Sequence, residues 1–486
     1  MKSIVEAVLR YQQLMPDKLC LADDSGFVTY SDYADKIKRF AGGFTKEGIV
    51  TGDRVVVEAC QTIDYLAIGL ALQLLGAIFV PVEHNCAQEK ILSFAERAQA
   101  KAVITVKDVQ HEGIRAYSYQ TLIPLLDAAE TYQFSVLPAS DAVSEILFST
   151  GTTGREKGIV ITNGNNIALA ENVIHGVLME RDNVELIPSP MNHSHGLRRY
   201  YANMYMGASV VLLGSVMNMK RFFEAMDVYG VNSIDLVPAA LSVVLKLSRD
   251  KLAAYRNVIR YIQFGAAPMM EADKEKICAL LPDTRLYNFY GSTESGCISI
   301  YNFNIPGDKK NCVGKTTHNA DIFIVDDDRN EIASDKDHAG LLASRGAMNM
   351  LGYWQDSEET DRVLFNGAVY SNDIAYFDED GEIILLGRKN DVINVGGNKV
   401  SPEEIENAAR KLPVVADCGV IPVPDPMKGF VPKRFVEIRK GGQFDSAEIR
   451  RFLTASLEPY KVPVFIVEIE KIPRSYNGKL LRKELK

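Results

Sequence analysis

The chain has 486 residues, 47% of them hydrophobic and 24% charged, ordinary globular proportions that exclude a disordered, collagen-like or coiled-coil chain. At roughly 150 residues per domain it has room for about three structural units and a large core. Its formal charge of −9 lacks the basic field of a nucleic-acid binder, and its seven cysteines (20, 60, 86, 278, 297, 312, 418) never reach C-x-x-C spacing, which argues against a disulfide framework or a zinc site and fits a reduced, cytoplasmic setting.

In chain order, Ile4, Val5, Val8 and Leu9 recur at helical spacing while Glu6 and Arg10 interrupt them. That predicts an amphipathic helix rather than a signal peptide. The apolar stretch 65–82 is nearly long enough to span a membrane, but Gly69, Gln73, Gly76 and Pro81 punctuate it. It predicts a buried helix, a turn at Gly76 and a buried strand at 78–80, with no membrane span. Short β-rich runs at 53–57, 102–106, 209–213 and 234–237 alternate with helical patterns such as 220–229 and 240–247. The alternation predicts an α/β fold of layered, mostly parallel sheets with helices. Beyond residue 310 the texture changes to strands joined by Asp/Gly turns, DDDRNE at 326–331 and EDG at 379–381. Pro402 with Glu403 and Glu404 starts a helix. Residues 419–440 read as strand, Pro-rich loop, strand, and 446–457 as a helix. The expected organisation is a large N-terminal domain, 1–388, and a small mobile α+β C-terminal domain, 389–486.

The sharpest local feature is SEILFSTGTTGREKGIVITNGN at 144–165. A short apolar strand, 146–148, runs into Ser149, Thr150, Gly151, Thr152, Thr153, Gly154 and, three residues on, Lys157. Glycines let backbone N–H groups approach phosphate oxygens, hydroxyls donate, and the lysine balances charge. It is not a Walker A loop: two residues separate the glycines, and Gly158 follows the lysine. Dinucleotide (G-x-G-x-x-G) and serine-hydrolase (G-x-S-x-G) fingerprints do not occur.

STGTTGREKG, with NFYGSTE (288–294), AVYSNDIAYFDEDGEIILLGRKNDVINVGGNKVSPEEIE (368–406) and PRSYNGKLLRKEL (473–485), resembles the ordered motifs of the adenylate-forming family, the acyl-CoA synthetases, luciferases and non-ribosomal-peptide adenylation domains. FGAAP (264–268) and PMNHSHGL (190–197) resemble weaker blocks of it. Four positions depart from the pattern: Glu156 replaces a proline, Ser371-Asn372 stands where Thr-Gly precedes the aspartate, and Ser475 replaces a threonine.

The resemblance implies an ATP-dependent carboxylic acid ligase. A carboxylate attacks the α-phosphate to give acyl-AMP and pyrophosphate; a thiol then takes the acyl group and AMP leaves. By position, Tyr290 would stack on adenine, with Gly265, Ala266, Ala267, Asn288, Phe289, Gly291 and Ser292 around the nucleotide. Thr293 would contact the α-phosphate and Glu294 would hold Mg²⁺. Asp373 would take the ribose hydroxyls, assisted by Arg388, and Lys479 would be the catalytic lysine. Asn390 falls at the hinge, and Gly396 and Gly397 would line a thiol tunnel. The implied cofactors are ATP, Mg²⁺ and coenzyme A. The alternative acceptor is the phosphopantetheine arm of a carrier protein.

The segment holding His193, Ser194, Gly196 and Arg198 is where relatives line the acyl pocket. If it were a strand, residues 193 and 195 would share a face. That invites a metal reading, but without a third ligand at usable spacing a packed or gating His193 is the expectation. The segment has no acid from Met191 to Ser215, which disfavours an α-amino acid substrate. Arg198 and Arg199 stand out in an apolar run and have two readings: a solvated helix face, or a pair of which one meets a second polar or anionic group on the acid.

Overall fold

The computed structural model describes residues 1–108, 113–150, 156–395, 398–474 and 480–485. The N-terminal helix Ile4–Leu14 forms as its spacing predicts: the Ser3 side chain caps the Glu6 N–H, and Ile4, Val5, Val8 and Tyr11 are buried. The apolar stretch folds as helix Ile63–Leu75, a left-handed Gly76 at φ +72°, and strand Ile78–Val82. The helix is buried on nearly every side, which is why its sequence looked membranous. Among the described residues, no helix is long and apolar enough to cross a membrane.

Two sheets sandwich a layer of helices. In the seven-stranded sheet, Arg54–Glu58, Ile78–Val82, Ala102–Thr105, Arg115–Ser118 and Val143–Thr150 run parallel. Glu156–Thr162 returns antiparallel along Val143–Thr150, with Ser149 in register with Lys157. The 14-stranded sheet is parallel from Leu19–Asp23 through Ser209–Leu212, Val184–Ile187, Ser233–Leu236 and Tyr261–Phe264 to Arg285–Ser292. Its remaining strands, from Gly296–Asn302 to Ala320–Val325, are antiparallel, in line with the hairpin texture of the later sequence. Alternate strand residues feed different cores: Val55 and Val57 face the central helices, whereas Val56 packs on the outer helix Gln88–Ala98.

A separate five-stranded sheet carries helices Pro402–Arg410 and Ser446–Ser456. Here one expectation is corrected. The prolines at 422 and 424 lie within strand Val415–Asp425, not in a loop, and Pro422 faces Pro432 across the pair. Two facing prolines have no N–H to exchange, so they fit a non-hydrogen-bonded position of the ladder.

Candidate active site

The parallel strands Val184–Ile187, Ser209–Leu212, Ser233–Leu236 and Tyr261–Phe264 end at one edge. Residues just past their ends (Pro188, Ser189, Gly214, Met217, Val237, Ala266) line a cavity of about 750 Å³. Open α/β sheets bind ligands in this crevice beyond the carboxyl ends of their strands. The start of helix Ser194–Met206 forms a second wall through His193, Ser194, Gly196 and Arg198. Ser149 enters from the seven-stranded sheet, and Phe289, Tyr290, Gly291, Ser292 and Thr293 close the cavity from the end of strand Arg285–Ser292.

One corner has the residues expected to hold a nucleoside. The Tyr290 hydroxyl donates to Asp373 Oδ2 at 2.6 Å, and Arg388 Nε lies 2.8 Å from Asp373 Oδ1. Asp373 and Arg388 are register partners on adjacent strands, so the sheet itself fixes this pair. Burial pushes the Tyr290 phenol well up, and the Asp373 charge adds to it, so the hydroxyl stays a donor. Asn288 pairs in register with Phe264, placing it beside Gly265. After Gly265 the chain turns through Ala266 at φ +69°, with Ala267 following. A Cβ at Gly265 would come within 2.9 Å of the His195 ring, so only glycine lets that ring sit there.

Glu294 lies within a tight turn in which the Ser292 N–H donates to Ser295 Oγ and the Ser295 N–H to Ser292 Oγ. The Met350 N–H donates to the Glu294 carbonyl at 2.7 Å, and the Tyr353 hydroxyl to Glu294 Oε1 at 2.8 Å. Glu294 Oε2 accepts no hydrogen bond among the described residues, which leaves a hard carboxylate oxygen for a cation. Among the described residues, no cluster of three His, Cys, Asp or Glu could hold a metal. One carboxylate with an uncommitted oxygen fits Mg²⁺, which keeps waters and takes phosphate oxygens as its other ligands.

Other expected residues fall elsewhere. Lys157 does not line this cavity: its ammonium pairs with Glu359 and sits 5.3 Å from the Tyr353 ring, in a second cavity of about 360 Å³ shared with Arg97 and Arg362. Glu359 is held down at about 2, first by Arg362 and then by Lys157. Glu156, in place of the usual proline, lies 2.9 Å from Lys90. Asn390 is exposed in a turn where the Asp391 and Val392 N–H groups both donate to the Arg388 carbonyl. Gly151, Thr152, Thr153, Gly154, Gly396, Gly397 and Lys479 lie outside the described residues, and so does the side chain of Thr150.

Two pocket expectations are corrected. His193 and His195 do not share a strand: His193 is the N-cap residue of helix Ser194–Met206, and His195 lies in its first turn with Nε2 2.8 Å from Asp235 Oδ1. Arg198 and Arg199 are no solvated face, being 4% and 3% exposed. Arg198 Nη1 donates to Glu145 and Asn166, and the Tyr201 hydroxyl donates to the other Glu145 oxygen at 2.8 Å. Arg199 lies over the Phe289 ring, with Nε 3.5 Å from Asp235 Oδ1.

Tyr353, Glu359, Glu145 and Asp235 were missed in the sequence. Glu145 and Asp235 do carry a signal, since each is the single acid of its strand, with its cation far along the chain. Tyr353 and Glu359 have no such mark.

The sequence matches the AMP-binding enzyme family over residues 10–354 and the AMP-binding enzyme C-terminal domain over 404–479. The chain belongs to the AMP-binding enzyme family. It is 27% identical over 492 residues to a 4-coumarate–CoA ligase of Vanilla planifolia, covering 94% of this chain and 88% of that protein. It is 27% identical over 480 residues to a 2-succinylbenzoate–CoA ligase of Bacillus cereus (strain Q1), covering 97% and 96%. The fold superposes on ATP-bound MatB from Rhodopseudomonas palustris with a TM-score of 0.87 at 21% identity, covering 98% of this chain and 97% of that one. It also superposes on o-succinylbenzoate CoA synthetase (MenE) from Bacillus subtilis in complex with the acyl-adenylate intermediate, at 0.85 and 23%, covering 99% and 97%. As an AMP-binding enzyme, the protein is an AMP-forming acid–thiol ligase that works with ATP and Mg²⁺.

Proposed function

We propose that the protein joins a small-molecule carboxylic acid to coenzyme A through an acyl-AMP, with the cavity at the strand ends as the site of both half-reactions. The observation that carries this reading is the continuity of two sites: Tyr290, which donates to Asp373, lines the same cavity as the start of helix Ser194–Met206. A nucleoside held at Tyr290, Asp373 and Arg388 would place its α-phosphate toward Thr293. An acid lying along residues 193–199 would then present its carboxylate there. Glu294 would hold Mg²⁺, which when bound neutralises phosphate charge.

The reaction needs no nucleophile from the protein. A carboxylate oxygen bonds to the α-phosphorus, the α–β bridging bond breaks, and pyrophosphate leaves. Two anions must meet, so positioning and charge neutralisation dominate. Lys479, on the segment expected to swing about Asn390, supplies the mobile cation, and its loss should slow the first step on the order of 10²–10³-fold. In the second step sulfur bonds to the acyl carbon, the thiol gives up its proton, and AMP departs. Gly396 and Gly397 would let the pantetheine arm approach the backbone there. The named relatives act on 4-coumarate and 2-succinylbenzoate with CoA, which supports coenzyme A as acceptor and an acid with a sizeable carbon body.

Acid-dependent exchange of labelled pyrophosphate into ATP tests the first step, and CoA-dependent release of AMP the second. A broad panel of acids that never supports exchange would refute the reading.

A further inference from the structure

The walls of the cavity have opposite character. Val216, Met217, Val237 and Val243 contribute apolar lining, while Arg199 and His195 contribute basic side chains. Arg199 is the unusual member. It is 3% exposed, and neither Nε nor Nη1 finds a hydrogen-bond acceptor among the described residues. A buried guanidinium with unfilled donors is destabilising unless something fills them.

Its neighbour Arg198 also leaves Nε without an acceptor among the described residues, but its Nη1 is committed to the Glu145 carboxylate and the Asn166 amide oxygen. The acid nearest Arg199 is shared. Asp235 Oδ1 is 3.5 Å from Arg199 Nε and 2.8 Å from His195 Nε2, so one carboxylate faces two basic side chains. The other acid of this layer, Glu185, takes hydrogen bonds from the Asn203 and Gln263 amides. It is pushed up to about 8 by burial and then by the Asp235 charge, and so stays protonated near neutrality. Phe289 braces the guanidinium plane, with the ring centroid 3.6 Å away, which holds the fork in one orientation.

We propose that Arg199 is a specificity-determining residue that receives a second anionic group of the substrate, so that the acid activated is a dicarboxylate with an apolar segment between its two ends. This deepens the ligase reading and rests on it. One carboxylate goes to the nucleotide end of the cavity, the apolar segment lies along the valine and methionine wall, and the far carboxylate fills the Arg199 donors. A planar fork meeting a carboxylate in a dry pocket is among the stronger polar contacts available.

The test is pyrophosphate exchange with a ladder of α,ω-dicarboxylic acids and the monocarboxylic acids of equal chain length. At the best length the diacid should exceed its matched monoacid in kcat/KM on the order of 10²-fold, mainly through KM. Arg199→Gln should bring that ratio close to one, and Arg199→Lys, which keeps charge but loses the fork, should keep part of it. Should the Gln variant fail to fold, the wild-type ratio and the Lys variant decide. A wild-type ratio at or below one along the whole ladder overturns the assignment, as does a ratio left intact in the variants. Exchange with monoacids alone would sink only this assignment, whereas no exchange with any acid would overturn the ligase reading and this assignment with it.

Discussion

Asp373 gathers two different partners into one corner: a phenol at 2.6 Å reaching in from strand Arg285–Ser292, and a guanidinium at 2.8 Å fixed by the adjacent strand. Removing the phenol takes one donor from a charged acceptor, worth about 1.5–3 kcal/mol in such settings. Tyr290→Phe should therefore raise KM for MgATP on the order of 10-fold, since the ring that meets the base remains. Asp373→Ala should raise it further, because the variant also strands Arg388. KM measured in the exchange assay at saturating acid checks both, and an unaltered KM in Asp373→Ala would remove the ribose role. Glu185 gives a prediction on stability. Its carboxyl is raised to about 8 by burial first and by Asp235 second, so the folded protein keeps a proton that the unfolded chain releases near pH 4.3–4.5, the roughly ordinary glutamate range. Its contribution to stability is whole below that range and is lost as pH rises through about 8. Glu185→Gln should lose that alkaline decline in thermal melts across the window, and parallel declines in both proteins would refute it.

At the scale of elements, the turn between strands Arg285–Ser292 and Gly296–Asn302 decides where Thr293 and Glu294 sit. A Cβ at Gly291 would fall 1.8 Å from the Gly296 carbonyl oxygen, a backbone atom that cannot step aside. Gly291→Ala should thus displace the turn, cutting exchange on the order of 10²-fold or more while leaving the distant small domain folded. Exchange rates with far-UV circular dichroism separate the two effects. Such elements were largely legible in the chain. Helix Ile63–Leu75, the Gly76 turn and strand Ile78–Val82 follow from period and punctuation, and the Tyr290, Glu294 and Asp373 motifs stand out by resemblance. What was not legible is long-range partnership. A solvated face stayed open for Arg198 because its carboxylate, Glu145, is 53 residues away, and for Arg199 because Asp235 lies on strand Ser233–Leu236, outside its own helix. Prolines 422 and 424 looked like a loop because their tolerance depends on a non-hydrogen-bonded register with Pro432 and Phe430. Local composition carries no information about any of these pairings.

At the scale of the whole molecule, the small sheet meets the large one through few contacts. Lys399 donates to the Ala339 carbonyl, Lys389 Nζ lies 2.7 Å from Asp327, and Glu403 of helix Pro402–Arg410 stands close enough to Asp373 to feel its charge. This arrangement turns strand Asn398–Val400 toward the large domain; on the proposed reading, in which the neighbouring glycines line the thiol path and Lys479 serves acyl-AMP formation, it would be the arrangement of the thiol step. Two arrangements that share a hinge are biased by any contact made in only one of them. Lys399→Ala should therefore slow single-turnover transfer of acyl-AMP to CoA by about 2–10-fold, the range of one hydrogen bond, with pyrophosphate exchange at least as fast as in the wild type. Glu403 adds a pH dependence of known sign. Its carboxyl is raised to about 7, first by burial and next by Glu406, and Asp373 contributes across the boundary. The docked arrangement thus holds the proton more tightly, and raising pH through about 7 disfavours it. Transfer should fall relative to exchange over that interval, and Glu403→Gln, neutral throughout, should flatten the fall. If exchange rather than transfer responded to both substitutions, strand Asn398–Val400 would belong to the adenylation arrangement, and the assignment of the two half-reactions to the two arrangements would have to be exchanged.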